Sequence, residues 1–195
     1  MKKLIFGTAM ILATGLFSFT KAQLKQGNWM VGGNILTSNF GLKSGGSYNF
    51  ILQPKAAYFL RDNKAIGGLV TFGFNGAKNA KTTYTYNVGL LGRYYLNNNQ
   101  VHNLLKQGKF FLEGNLGIGG TTQTQGGIST TGLNLGVGPG YAYFLTHNIA
   151  VEGLVKYVGD FGFGNNSNTS NLEFNVGLQV YLPTSKVKQI TRDIH

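Results

Sequence analysis

The residues of this chain that could do chemistry are three histidines and six acids, and there is no cysteine. Without cysteine, a thiol nucleophile, a disulfide and a cysteine-based zinc site are excluded. Hydrolysis needs a base within hydrogen-bond reach of its nucleophile. His102, His147 and His195 fall in two predicted turns and the C-terminal tail, without a metal-ligand spacing. The sequence therefore predicts no catalytic residue, no metal site, no cofactor and no enzymatic activity.

A glycine-rich segment, Gly136-Val137-Gly138-Pro139-Gly140, superficially suggests a phosphate-binding loop. Such a loop requires a helix directly after it, but this segment continues into a predicted strand. We instead expect small residues that face an interior and permit a close neighbour. Because Pro139 has no N–H to donate, we also expect a local irregularity there.

Six charged residues lie in the middle of predicted strands, all on the polar face: Lys55, Arg93, Glu113, Glu152, Lys156 and Glu173. Unpaired charges inside a narrow interior are costly, so three anions and three cations on one face predict ion pairing. The structural hypothesis is a paired plug that fills a lumen. The functional alternative is a narrow polar pathway for small ions, and Asp160, near the rim on the same face, could belong to either.

The elements that must position these charges are eight segments with a two-residue hydrophobic period. They span 26–37, 46–60, 64–76, 82–97, 109–120, 128–145, 148–161 and 170–182. Such alternation means that each strand separates an apolar medium from a polar one. Tight turns alternate with longer loops rich in Gly, Asn, Ser and Thr, which predicts an up-and-down order with both termini at the tight-turn end.

The N-terminus has the features of an export signal. Met1-Lys2-Lys3 is basic, and an apolar run extends from Leu4 to Phe19, which is short for a membrane-spanning helix. Cleavage is predicted after Ala22, and no cysteine follows for lipid attachment. The predicted division is a signal peptide at 1–22, a barrel at 23–182 and a short basic periplasmic tail at 183–195.

The composition indicates which medium the apolar face meets. Charged residues make up 12% of the chain, against about 25% in soluble domains. The net charge of +11 is scattered without a dense patch, and export argues against a nucleic-acid partner.

Apolar-face aromatics cluster at both strand ends: Trp29, Tyr48, Tyr58, Phe74, Tyr84, Tyr86, Tyr94, Phe110, Tyr141, Tyr143 and Tyr157. Two aromatic girdles around an aliphatic zone are typical of a membrane barrel.

Strand number, alternation and export signal together resemble the small eight-stranded outer-membrane β-barrel family of the OmpA/OmpX type, in the form common among Bacteroidetes-like bacteria. The resemblance extends from about Gln26 to Leu182 and rests on pattern. It implies an all-β, eight-stranded antiparallel up-and-down transmembrane β-barrel in the outer membrane, with both termini periplasmic. It also implies outer-membrane lipid and the barrel-assembly machinery as partners. Family members commonly end on an aromatic residue, whereas here Tyr181-Leu182 is followed by a tail.

The functional hypothesis that follows is a non-enzymatic outer-membrane barrel with a structural or surface-interaction role and a mostly filled polar lumen. One alternative is a small channel or ligand-uptake barrel. Another is a soluble periplasmic lipocalin-like binder, because a soluble barrel would show the same alternation. The direction in which the mid-strand charges point distinguishes the soluble alternative from the others.

Overall fold

The structure, a computed structural model, describes residues 24–40, 47–77, 82–96, 108–124, 129–163 and 168–184. The described strands are β1 (Trp29–Phe40), β2 (Ser47–Arg61), β3 (Lys64–Ala77), β4 (Thr83–Tyr95), β5 (Gly108–Gln123), β6 (Ser129–Phe144), β7 (Ile149–Gly162) and β8 (Thr169–Leu182). Each strand pairs antiparallel with the next, and β8 pairs with β1 to close a barrel. This confirms the predicted fold class. The predicted signal peptide, and the tail beyond Thr184, lie outside the described residues.

The two ends of the barrel differ in their connections. At one end, called here the turn end, Arg61 and Lys64 flank the β2–β3 turn and residues 145–148 join β6 to β7. The other end, where β1 ends and β2 begins, is called the loop end. Because the strand number is even, β1 starts and β8 finishes at the turn end. In the described part of the chain, no helix has the length and apolar character needed to cross a membrane.

The two faces of every strand meet different surroundings. On β4, Val88 and Leu90 each expose 64% of their surface, whereas Asn87 and Leu91 are buried. On β8, Val176 is 63% exposed and its neighbour Asn175 is buried. Successive side chains of a strand point to opposite faces, so the apolar set lies outside the barrel and the polar set inside.

Pro139 interrupts one of the two ladders of β6. Its pairing with Leu112 of β5 is continuous, but the paired residues of the β6–β7 ladder skip from Val137↔Tyr157 to Gly140↔Leu154. The register is the same on both sides of this gap. The irregularity predicted at Pro139 is therefore a local loss of pairing, because proline has no N–H for the ladder.

The interior at the turn end is apolar, which the sequence analysis did not predict. Four aromatic side chains, called here the aromatic layer, are each at most 1% exposed: Phe59, Tyr95, Phe111 and Tyr181. The Tyr95 ring centroid lies 6.0 Å from that of Phe59 and 5.5 Å from that of Phe111, and the Tyr95 and Tyr181 hydroxyls are 2.6 Å apart. Stacked and tilted contacts of this kind stabilise aromatic clusters. The layer fills the lumen at this end.

The segment before β1 adds to this closure. Leu24 is buried with the aromatic layer, and its carbonyl accepts a hydrogen bond of 2.7 Å from the Asn63 amide in the β2–β3 turn. The Gln26 amide donates to Asp62 Oδ1 at 2.8 Å. Gly27 takes a φ of +88°, which glycine tolerates without a steric penalty. The chain thus folds onto the turn end before it enters β1.

Candidate functional site

Glu113 lies at the centre of the lumen and bonds to three cations. Lys55 Nζ donates to its Oε2 at 3.0 Å, and Lys156 Nζ donates to its Oε1 at 3.0 Å. Arg93 Nε donates to the same Oε2 at 2.9 Å, and Arg93 Nη2 also contacts it. The Glu113 side chain has no exposed surface. A buried carboxylate of this kind is tolerated because opposite charges and hydrogen bonds replace its hydration.

Arg93 links this centre to a second carboxylate. Its Nη1 donates to Glu152 Oε1 at 2.7 Å and Oε2 at 2.9 Å, and also to the Tyr95 hydroxyl at 2.9 Å. The Tyr181 hydroxyl donates to Glu152 Oε1 at 2.9 Å. The guanidinium carbon lies 4.0 Å from the centroid of the Phe111 ring, a cation–π contact that rests Arg93 on the aromatic layer.

Four strands on different sides of the barrel supply this ion cluster of Lys55, Arg93, Glu113, Glu152 and Lys156. Arg93 of β4 and Glu113 of β5 are direct cross-strand partners, while Lys55 comes from β2 and Glu152 and Lys156 from β7. The cluster therefore connects opposite walls of the barrel. It brings together five of the six charged residues predicted to share the lumen.

Glu173, the sixth predicted member, stays outside the ion cluster. It faces inward from β8 and is partly buried, but it forms no ion pair within 4.0 Å in the described part of the chain. Its cross-strand partner is Lys156, whose ammonium bonds to Glu113 of β5 instead. Glu113 also binds Lys55 and Arg93, so Lys156 joins a carboxylate that three cations share. Glu173 is only partly buried and would offer Lys156 a single ion pair closer to solvent.

A row of hydrogen bonds runs along the β5–β7 wall from the ion cluster towards the loop end. Lys156 Nζ donates to Asn115 Oδ1 at 2.9 Å, and Asn115 Nδ2 donates to Asn134 Oδ1 at 2.8 Å. Asn134 Nδ2 then donates to Asp160 Oδ1 at 2.7 Å. We call Lys156, Asn115, Asn134 and Asp160 the polar row. It connects Asp160, whose role the sequence leaves open, to the ion cluster.

Two glycines of the 136–140 segment make room for these interior side chains. A Cβ on Gly136 would collide with Asn115 Oδ1 and come within 2.9 Å of Lys156 Cδ. A Cβ on Gly140 would collide with the Phe111 ring. The segment therefore serves packing: glycine at these positions lets large side chains approach the β6 backbone.

The predicted girdle aromatics lie on the outer face wherever the structure describes them. At the turn end Trp29 contacts Tyr58 and Phe110 contacts Tyr141, with centroids 5.2 Å and 4.9 Å apart. At the loop end Phe74 and Tyr84 make an edge contact at 5.6 Å. The exposed members are Phe74, Tyr84, Tyr86, Tyr94, Phe110, Tyr143 and Tyr157. The Tyr48 side chain lies outside the described residues.

One of the three histidines, His147, falls within the described residues. His147 lies in the β6–β7 turn at the turn end, whereas Asp160 and Glu173 face the interior near the loop end. His102 and His195 lie outside the described residues. No group of three or more His, Cys, Asp or Glu side chains suited to a metal ion occurs within the described ranges.

Solved structures of similar shape are small outer-membrane barrels. Neisserial surface protein A superposes with a TM-score of 0.53 at 19% identity, over 78% of this chain and 95% of that chain. The N-terminal β-barrel domain of OprF from Pseudomonas aeruginosa gives 0.51 at 12% identity, over 80% and 98%. No protein-family model and no curated protein sequence matches the chain. The chain has the fold of the small eight-stranded outer-membrane β-barrels.

Proposed function

We propose that this chain is an integral protein of a bacterial outer membrane, with its apolar outer face against lipid acyl chains and both termini in the periplasm. The observation that supports this most strongly is the exposed belt of Leu, Val and Ile around a lumen that holds the charges. In water such a surface would be a large apolar patch, which soluble monomers rarely expose. A lipocalin-like soluble binder requires the opposite arrangement.

Within the membrane, we propose a non-enzymatic role in which the barrel supports the envelope or presents its loops for surface interaction. The filled lumen supports this role: the Lys55, Arg93 and Glu113 side chains have no exposed surface, and the aromatic layer lies beneath them. An eight-stranded barrel has an interior just wide enough for its side chains. Solutes would have to displace both the ion cluster and the aromatic layer to pass.

A small channel remains the second candidate, and the polar row is the observation that favours it. Asp160, Asn134 and Asn115 form a hydrogen-bonded path from the loop end to Lys156. For conduction, this path would have to continue past Tyr95 and Tyr181.

Two measurements test the proposal. The full chain, expressed with its N-terminal segment, should fractionate with the outer membrane and migrate faster on gels before heating than after heating. Recovery in the aqueous periplasm without detergent would contradict the membrane location. In planar bilayers the purified barrel should show no sustained conductance steps. Steps that disappear in Arg93→Ala or Glu113→Ala barrels, provided these still show heat-modifiable mobility, would favour the channel.

A further inference from the structure

The β2–β3 hairpin at the turn end contains a β-bulge that changes the direction of one charged side chain. Phe59 pairs with Ala65 across the ladder. The next pair is Arg61 with Lys64, which leaves Leu60 as an extra residue on β2. Under regular alternation Arg61 would share the inward face of Phe59. A bulge re-aims the side chains around it, and here it turns Arg61 to the outer face, opposite Lys64.

Arg61 and Lys64 are therefore like charges directly opposite each other on the outer rim. Both residues are exposed, and Lys64 Nζ lies 5.5 Å from the centroid of the outer Tyr94 ring. Neither cation forms an ion pair within 4.0 Å among the described residues. The acid of the same turn, Asp62, accepts the Gln26 amide at 2.8 Å. Like charges directly opposite destabilise a strand pair, so this pair indicates an anion that the chain itself does not supply.

The level of the cation pair on the barrel indicates that this anion is a lipid headgroup. Tyr94 belongs to the turn-end girdle, as do Trp29 and Tyr58, whose ring centroids are 5.2 Å apart, and such rings favour the headgroup region. Lys25 is exposed in the segment that hydrogen-bonds to the same turn, and it adds a third positive charge. A zwitterionic headgroup brings its own cation. A local excess of positive charge therefore favours a headgroup with a net negative charge.

The outer face beside the cation pair has room for an acyl chain. Ala56 and Gly68 are direct partners on the β2–β3 ladder, and Gly92 of β4 lies beside Ile66 of β3. A Cβ on Gly92 would meet no heavy atom within 4 Å, and one on Gly68 would meet a single backbone oxygen at 3.6 Å. These small residues form a shallow apolar slot that begins near the cations and runs towards the middle of the barrel. Free phosphate would fill only the charged part of such a site, whereas a phospholipid fills both parts.

We propose that the Arg61–Lys64 pair binds the phosphate of an anionic phospholipid in the leaflet at the turn end, with an acyl chain in the slot of Ala56, Gly68 and Gly92. The guanidinium presents a fork of donors that matches phosphate oxygens, and the lysine ammonium adds a compact charge. This inference rests on the membrane location proposed above. It adds a preferred lipid on one side of the barrel, because the outer rim at the β6–β7 turn carries the uncharged pair Tyr143 and Val151.

The test uses the refolded barrel in phosphatidylcholine nanodiscs and nuclear magnetic resonance of its backbone amides. Insertion into phosphatidylcholine alone tests the membrane location, so the two proposals can fail separately. Phosphatidylglycerol then replaces phosphatidylcholine in increasing fractions. The Arg61 and Lys64 amides should shift saturably, whereas the Val151 amide, at the same end of the barrel, should stay unchanged. Equal shifts at Lys64 and Val151 would overturn the proposal, because they would show only a general response to surface charge.

Charge-removing variants separate a defined site from general attraction. Arg61→Gln and Lys64→Gln should each raise the phosphatidylglycerol fraction that gives half of the shift, on the order of fivefold. Lys109→Gln is the matched control, since it removes one charge at the turn end from β5, and it should leave this fraction unchanged. Heat-modifiable mobility establishes that each variant barrel has formed. An equal effect of all three substitutions would contradict a site at Arg61 and Lys64.

Inorganic phosphate distinguishes a lipid from a free ion. Added to the barrel in phosphatidylcholine nanodiscs, it should shift the Arg61 and Lys64 amides less than phosphatidylglycerol does, because it makes no contact with the slot. If phosphate alone reproduces the saturable shift and phosphatidylglycerol adds nothing, the pair binds a free anion and the lipid proposal is wrong.

Discussion

Lys156 and Glu173 are direct partners across the β7–β8 ladder, yet the Lys156 ammonium bonds to Glu113 and Asn115 of β5, beyond the intervening strand β6. The two interior glutamates therefore have different surroundings. Glu113 is a shared centre for three cations, and Glu173 is partly buried near the loop end. The two glutamates should respond very differently to the loss of their charge.

Glu113→Gln should lower the free energy of unfolding by about 3–5 kcal/mol, because it leaves Lys55, Arg93 and Lys156 buried without their common counter-charge. Urea unfolding of the refolded barrel in lipid vesicles measures the loss. Glu173→Gln is the matched control and should cost less than about 1 kcal/mol. Equal effects of the two substitutions would show that the ion cluster is not centred on Glu113.

Gly136→Ala should destabilise the barrel by about 1–3 kcal/mol, since overpacking an interior forces its neighbours to move. The added Cβ meets Asn115 Oδ1 and lies 2.9 Å from Lys156 Cδ. Gly92→Ala provides the control on the outer face, because a Cβ there has no heavy atom within 4 Å. We expect Gly92→Ala to stay within about 0.5 kcal/mol of the parent. Tolerance of both changes would contradict the close packing at Gly136.

The strands and the inward direction of the charges could be predicted because each depends on a local, repeating pattern. A period of two assigns every residue to a face without knowledge of its neighbours. The absence of an ion pair between Glu173 and Lys156 could not be predicted in this way. It depends on the position of the Lys156 ammonium, which lies several bonds from the backbone. A lysine side chain is long enough to reach acids on several strands, and the strand register alone does not determine which acid it binds.

The aromatic layer can be recognised in the sequence, although not from strict alternation. At the turn end, the pattern gives way to apolar doublets, Tyr94-Tyr95 and Phe110-Phe111. In each doublet one ring lies outside and the other is buried in the lumen. Apolar residues on both faces of a strand indicate that the interior has itself become apolar at that level.

Trp29 reports on the turn-end girdle, because it is the single tryptophan of the chain and lies beside Tyr58. Aromatic rings at this level favour the headgroup region. We expect its fluorescence to be quenched more strongly by lipids brominated near the headgroup than by lipids brominated near the end of the acyl chain. Stronger quenching by the deep probe would place Trp29 near the bilayer centre and remove the girdle assignment.

Val176→Arg tests the outer face at its middle. The side chain is 63% exposed on the apolar surface of β8, and an arginine at the bilayer midplane costs about 2–4 kcal/mol. Phe161→Arg places the same charge on the outer face near the loop end, where the cost falls to about 0–1 kcal/mol. Unfolding in lipid vesicles should therefore rank the two. A barrel equally stable with either arginine would contradict the face assignment.

The most direct test of the account is the set of nuclear Overhauser contacts between lipid acyl chains and methyl groups of the unmodified barrel in nanodiscs. Val88, Leu90 and Val176 lie outside, and Leu69, Leu91 and Leu154 lie within the lumen. We predict acyl-chain contacts for the first three methyl-bearing residues and none for the second three. Contacts from the second set, with none from the first, would contradict a barrel whose apolar face meets lipid.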